Sequence, residues 1–468
     1  MQDHQDAFHE WAKIYGDVMP LKVLGKSLVV LSSEAAAIDL LEKRGAKYSD
    51  RPSIPMMELL EWDKLLVFIP YGKEFQASRR LFQDQLSKKQ CTSYHDRIVG
   101  HARTMAEKIK GEPSAYEKHI QYFVTSVIAD VTYGHQVSGA DDQHVHISNF
   151  VIEFSDTIGT QGANLLDIFP FLKHLPAWVP GAWFIRYAQG TITIVGMSYV
   201  LLTSHFNSET STEYKKLETA CFEEVRREVA ADTATPSFVS NHLKNMLEKD
   251  DPNIDDILRL KRSGLHFYSA GIETLLTVIS TFLFTMLRHP EVQKKAQEEI
   301  ESVLGKDRLP DFSDRASLPY VEAVLQETMR WHPPSPLAIP HKVTSDDSYR
   351  NVFIPKGSTV IANVRSMTLD EKTWHNPREF IPERYLPSPL GQGEPFAKGI
   401  FGFGRRACPG KYLAEGTVWI VVVTILAGFD IRPVQDEFGE DVIPPLRFIT
   451  SITSRPAPFE CRLVPRIS

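Results

Sequence analysis

Near the start of the chain the spacing of apolar residues changes character. In MPLKVLGKSLVVLSS two short β-prone runs, 21–24 and 27–31, flank Gly25 and Lys26, a pattern that predicts a hairpin. EAAAIDLLEKRG then shifts to helical spacing. From Phe75 to about Gly305 the reading is mostly helical, interrupted by the proline-rich DIFPFLKHLPAWVPG. Beyond Pro333, prolines and short strands such as STVIANV take over. The expected fold is mainly α with small β-sheets. The β-rich edge falls at about 1–70, 335–365 and 440–468, the helical body at 71–334, and a glycine-rich loop with its following helix at 395–430. No repeat, low-complexity tract or Gly/Ser linker marks a boundary, so one domain is expected over 1–468.

Two stretches are apolar enough to suggest membrane spans. Residues 264–287, at about 1.5 Å per residue, are long enough to cross a bilayer, but would bury His266 and Glu273 in hydrocarbon. VWIVVVTILAGF is shorter than the roughly 20 residues a span needs. Both are expected to be core. The opening MQDHQDAFHEWAKIYGD reads as neither leader nor anchor.

Composition narrows the function. With 468 residues, 43% of them hydrophobic, a large core is affordable in size, and the formal charge of −7, spread without blocks, argues against a nucleic-acid partner. Cys91, Cys221, Cys408 and Cys461 are too few and too scattered for a disulfide framework, and no CxxC suggests structural zinc; an intracellular setting is expected.

One of these cysteines stands in an unusual place. FGFGRRACPG, 401–410, sets Cys408 just ahead of KYLAEGTVWIVVVTIL, so its sulfur is expected near a helix N-terminus, where free N–H groups favour a thiolate. Such a thiolate suits a soft or borderline metal. Gly402, Gly404 and Gly410 are expected to let the backbone turn tightly and approach a flat ligand, and Arg406 to neutralise an acidic group on it. Taken alone, the loop could also hold a structural cysteine. Elsewhere, AGIETL (270–275) lies on a helix whose apolar positions Leu265, Tyr268, Ile272, Leu275, Ile279, Phe282 and Met286 keep a 3/4 spacing. Its Gly271-x-x-Thr274 step can open the local hydrogen-bond ladder, although a lone threonine there more often back-bonds. ETMR, 327–330, places Glu327 and Arg330 on one face of a helix that opens with Pro319 and stops before Pro333.

The pattern formed by Phe401, Gly404, Arg406, Cys408 and Gly410 resembles that of the heme-thiolate monooxygenases, the cytochromes P450. AGIETL, ETMR and the IPERYL segment follow in that family's order. The resemblance implies that the fold seats heme b between the long central helix and the helix after the cysteine loop. Cys408 becomes the axial thiolate; Arg406, Phe401, Gly404, Gly410, Arg79 and His341 bind the cofactor; and Ala270, Gly271, Glu273 and Thr274 serve oxygen activation. Glu327, Arg330 and Arg384 form a structural network. Phe75 stands where tryptophan is usual and Gln76 where arginine is common, while Arg79 keeps its position. The resemblance places 54–68, Phe267 and Ala270, 337–339 and 448–453 around the pocket, with Phe267, Leu337, Ile339 and Ile452 the candidate pocket residues; core packing explains them equally well.

The implied function is hydroxylation or related oxidation of a lipophilic molecule. Electrons come from NADPH through a separate flavin-containing reductase, since the sequence carries no dinucleotide fingerprint. That partner, with cytochrome b5, would meet Lys398, Arg405 and Lys411, which otherwise only solvate the surface. KYSDRP, DIFPFLKHLPAWVPG and the cysteine loop resemble fungal members of secondary metabolite biosynthesis, acting on terpenoids or polyketides. These carry an N-terminal membrane anchor, absent from this reading, at the cytosolic face of the endoplasmic reticulum. A monomer is expected, with 177–185 either an interfacial patch on the membrane surface or an ordinary loop. The alternatives are a peroxide-using or isomerising heme-thiolate enzyme and a non-catalytic heme sensor.

Overall fold

The computed structural model describes residues 4–59, 62–158, 169–176, 210–248, 253–306 and 308–466, with Leu166 and Trp178. It divides into two compact units, one drawn from 1–50, 86–127 and 273–468, the other from 51–85 and 128–272.

The strands among the described residues all belong to the first unit. Val18–Val23 and Lys26–Leu31 pair antiparallel, Lys26–Leu31 runs parallel to Thr359–Ala362, and His341–Lys342 closes this four-stranded sheet. The first strand begins earlier than its β-prone run predicts. Its Pro20 is tolerated because the strand lies at the sheet edge, where a missing N–H need not break the ladder. The turn is Leu24-Gly25, one residue before the predicted pair, with φ of +47° and +82°. Two successive positive φ values match the right-handed twist of a two-residue hairpin. Smaller sheets are formed by Phe429–Gln435 with Cys461–Pro465 and Asp441–Val442, and by the hairpin of Phe448–Thr450 and Ser454–Pro456.

Against the four-stranded sheet packs a cluster that includes Val29, Leu31, Leu40, Leu41, Tyr48, Val360 and Phe403, so the cysteine loop is rooted in this core through Phe403. Helix Lys411–Gly428 is buried continuously from Gly416 to Gly428 and packs on His95–Gly111, Pro290–Leu304 and Pro319–Trp331. A helix apolar on all sides belongs inside a protein core. The second unit is helical among its described residues, and Phe82, Phe238 and Phe267 meet at ring-centroid distances of 5.1–6.1 Å.

Helix Ile254–Arg288 contributes to both units. It and Lys411–Gly428 are long and apolar enough to cross a membrane, yet 72% and 78% of their most apolar windows are buried in the protein. His266 is wholly buried, and desolvation pushes its pKa down to about 4, so the ring is neutral. Most of 177–185 lies outside the described residues; Trp178 is exposed. Residues 60 and 61, inside one predicted pocket segment, also lie outside them.

Candidate functional site

The loop 401–410 folds back on itself through a hydrogen bond from Cys408 N to Phe401 O, 2.7 Å. Helix Lys411–Gly428 begins three residues beyond the cysteine. Of the four cysteines Cys408 alone is exposed. Burial pushes the thiols of Cys91 and Cys461 up to about 11, which keeps them protonated. The donor chemistry and placement therefore single out Cys408 as the thiol able to ligate a metal.

The three glycines of the loop differ in what their backbones require. Gly402 has φ of +74° and makes the turn. Gly404, at φ +56°, admits no side chain because a Cβ would stand 2.3 Å from Leu41 O. The chain's own backbone therefore approaches Gly404 closely. Gly410 is unremarkable in conformation, at φ −84°, and a Cβ there would only touch Cys408 Sγ at 3.8 Å.

A neighbouring segment ties two predicted cofactor residues together. Arg406 Nε donates to Ser49 O at 2.8 Å, and His341 Nδ1 lies 2.7 Å from Tyr48 O. A carbonyl can only accept, so His341 carries its proton on Nδ1. Lys342 pairs with Asp50 at 2.9 Å, continuing the clamp. Below it, Asp347 accepts from Arg44, Lys47 and Tyr48 at 2.9–3.1 Å. Burial opposes its charge, but these donors hold its carboxyl down at about 2. The clamp was not legible as such, because backbone carbonyls leave no mark in a sequence.

On helix Ile254–Arg288, Ala270 is exposed and Thr274, one turn on, is half-buried, whereas Ile272, Glu273 and Leu275 are buried. The helix is continuous from Ile254 to Arg288. A Cβ at Gly271 would come within 2.6 Å of Ile128 Cδ1, the flexible end of that side chain. Glu273 Oε1 accepts a hydrogen bond of 2.6 Å from Thr453 Oγ1. In the second unit, Arg79 is half-buried one turn after buried Phe75 on helix Lys73–Gln85. Phe267 is 5% exposed within its aromatic cluster, which accounts for it as core. Leu337, Ile339 and Ile452 are half-buried.

Glu327, Arg330 and Arg384 are brought together and almost wholly buried. Glu327 receives Arg330 Nε and Nη2 at 2.8 Å and Arg384 Nε at 3.1 Å. Arg330 Nη1 also donates to Thr368 O and Pro377 O, tying the helix to distant loops. Two members were missed. Glu394 pairs with Arg384 at 2.7 Å, which makes two acids for two arginines, and Tyr385 O–H donates to Glu327 at 2.9 Å. Glu383, beside Arg384 in sequence, turns away to Lys295 and Tyr320.

Comparison with known proteins places these features in context. Residues 1–185 and 190–460 match the family model described as Cytochrome P450. The chain is 34% identical to Cytochrome P450 monooxygenase 176 of Postia placenta, over 100% of this chain and 87% of the relative. It is 37% identical to Cytochrome P450 monooxygenase 105 of the same fungus, over 98% and 84%. To Cytochrome P450 monooxygenase COX2 of Coprinopsis cinerea the identity is 35%, over 100% and 86%.

Proposed function

Because the chain belongs to the cytochrome P450 family and is a monooxygenase of that family, with heme-thiolate chemistry and need of a redox partner, we propose that Cys408 is its heme ligand and that it oxidises a lipophilic fungal secondary metabolite of terpenoid or polyketide type. The observation that carries this reading is the exposed Cys408 thiol at the start of the buried helix Lys411–Gly428. Bound heme supplies an iron centre at which O2 is activated, one oxygen atom entering the substrate and the other leaving as water with two electrons and two protons.

The chain's own residues do the rest. The helix N-terminus behind Cys408 Sγ favours its thiolate. Were heme bound, Arg406 and His341 would offer hydrogen-bond donors to its carboxylates, and the family resemblance assigns the same role to Arg79. Ala270 keeps its helix face small, and Thr274 Oγ1 passes on protons held by Glu273. Leu337, Ile339 and Ile452 offer an apolar lining that suits a lipophilic substrate.

Electrons come from an NADPH-dependent flavoprotein reductase, with cytochrome b5 as a second donor. Lys398, Arg405 and Lys411 are exposed and offer positive charge to an acidic partner. Its place of work in this reading is the cytosolic face of the endoplasmic reticulum. Titration of the heme-loaded protein with terpenoids, polyketides, indoles and fatty acids tests the substrate class through a saturable low-to-high-spin shift. Incubation of the responding compound with reductase, NADPH and 18O2 should give product carrying one labelled oxygen. Turnover with hydrogen peroxide but none with O2 and reductase would contradict the reading.

A further inference from the structure

The C-terminal hairpin carries a residue that no motif singled out. Its strands, Phe448–Thr450 and Ser454–Pro456, are joined through Ser451, Ile452 and Thr453, with Ser451 N donating to Thr453 O at 2.7 Å. The hairpin is fastened on one side to the end of helix Pro319–Trp331. His332 Nε2 lies 2.9 Å from Ser454 Oγ, its ring stacks on Phe448 at 3.6 Å, and Ser454 N donates to Pro334 O at 2.9 Å. On the other side, buried Thr453 reaches helix Ile254–Arg288. Thr277 Oγ1 donates to Thr453 Oγ1 at 3.3 Å, and Thr453 Oγ1 donates to Glu273 Oε1 at 2.6 Å.

The order of donors matters. A hydroxyl has a single proton to give, and Thr277 fills an acceptor site on the Thr453 oxygen. The Thr453 proton is thereby committed to Glu273. Glu273 and Thr277 are four residues apart and share a helix face, so one hydroxyl spans both. A hydrogen bond to a buried carboxylate is short and strong, and it fixes the acid's rotamer.

We infer that Thr453 is a positioning residue for Glu273, linking the acid of the long helix to the hairpin tip that bears Ile452. This rests on the reading of Glu273 as the proton-holding acid. The account predicts that displacement of the tip loosens the carboxylate, so that occupancy beside Ile452 and proton supply are coupled through one side chain.

The test uses the heme-loaded full chain in four forms: native, Thr453→Val, Thr453→Ser and Glu273→Gln. Reduction-induced infrared difference spectra report the Glu273 carboxyl as the band that vanishes in Glu273→Gln. In parallel, NADPH oxidation with reductase gives the share of electrons lost as hydrogen peroxide. Thr453→Val should move the band and raise the peroxide share several-fold, and Thr453→Ser, which keeps the hydroxyl, should restore both. An unmoved band in Thr453→Val, or a failure of Thr453→Ser to restore it, would overturn the inference. A raised peroxide share in Glu273→Gln with an unaltered Thr453→Val would overturn the positioning role alone. An unaltered share in Glu273→Gln would overturn the acid reading itself.

Discussion

Replacing Glu327 by Gln removes one charge and little volume from the most completely buried ionic site described. The two Glu327 oxygens receive Arg330 Nε and Nη2, Arg384 Nε, Tyr385 O–H and the Ile381 amide, all within 3.1 Å. In the variant one oxygen becomes an NH2 group facing donors, and the two arginines keep only Glu394 as a counter-charge. Breaking a buried pair in this way costs about 3–5 kcal/mol. Unfolding entropy of about 2.1 cal/mol/K per residue gives about 1 kcal/mol/K for this length, so the midpoint should fall by about 3–5 °C. Scanning calorimetry, with Lys295→Ala as an exposed-charge control, reads the difference. A Glu327→Gln midpoint within about 1 °C of native would refute the reasoning, because the network would then not be balanced by charge.

Other consequences are more local. Gly404→Ala forces a Cβ against Leu41 O at positive φ, a strain of about 1–3 kcal/mol, and should lower the heme content of purified protein. Asp347 has a folded pKa near 2, below its ordinary value, so its contribution to stability is full above about pH 4 and is lost as pH falls through 2. The stability gap between native and Asp347→Asn, followed by acid unfolding, should therefore close over that interval; a gap independent of pH would contradict it. Gly271→Ala meets only the flexible end of Ile128, which can rotate away, while alanine favours a helix interior over glycine by about 1 kcal/mol, so the denaturant midpoint should not fall.

How far these features can be read from the chain depends on whether local residue types encode them. Helix Pro319–Trp331 is bounded by prolines at its first turn and just past its end, and its limits are legible. So is the cysteine loop, whose constrained positions are close in sequence. The carbonyl clamp on His341 and Arg406 joins residues 293 and 357 positions apart, and Thr453 lies 180 from Glu273. Such pairings are set by topology, which no periodicity reports. Glycine spacing signals that a side chain is forbidden, but not by what. At Gly404 the neighbouring atom is Leu41 O and at Gly271 it is Ile128 Cδ1, neither of which the local sequence names. The one-residue displacement of the first turn has the same origin, since Leu24 accepts a positive φ that its residue type disfavours.

The measurement closest to the central claim is the carbon monoxide difference spectrum of the reduced, heme-loaded protein beside Cys408→Ser. The account predicts a thiolate-type spectrum in the native protein and its complete loss in the variant, with Cys91→Ser and Cys461→Ser unchanged. A thiolate-type spectrum that survived in Cys408→Ser would contradict it.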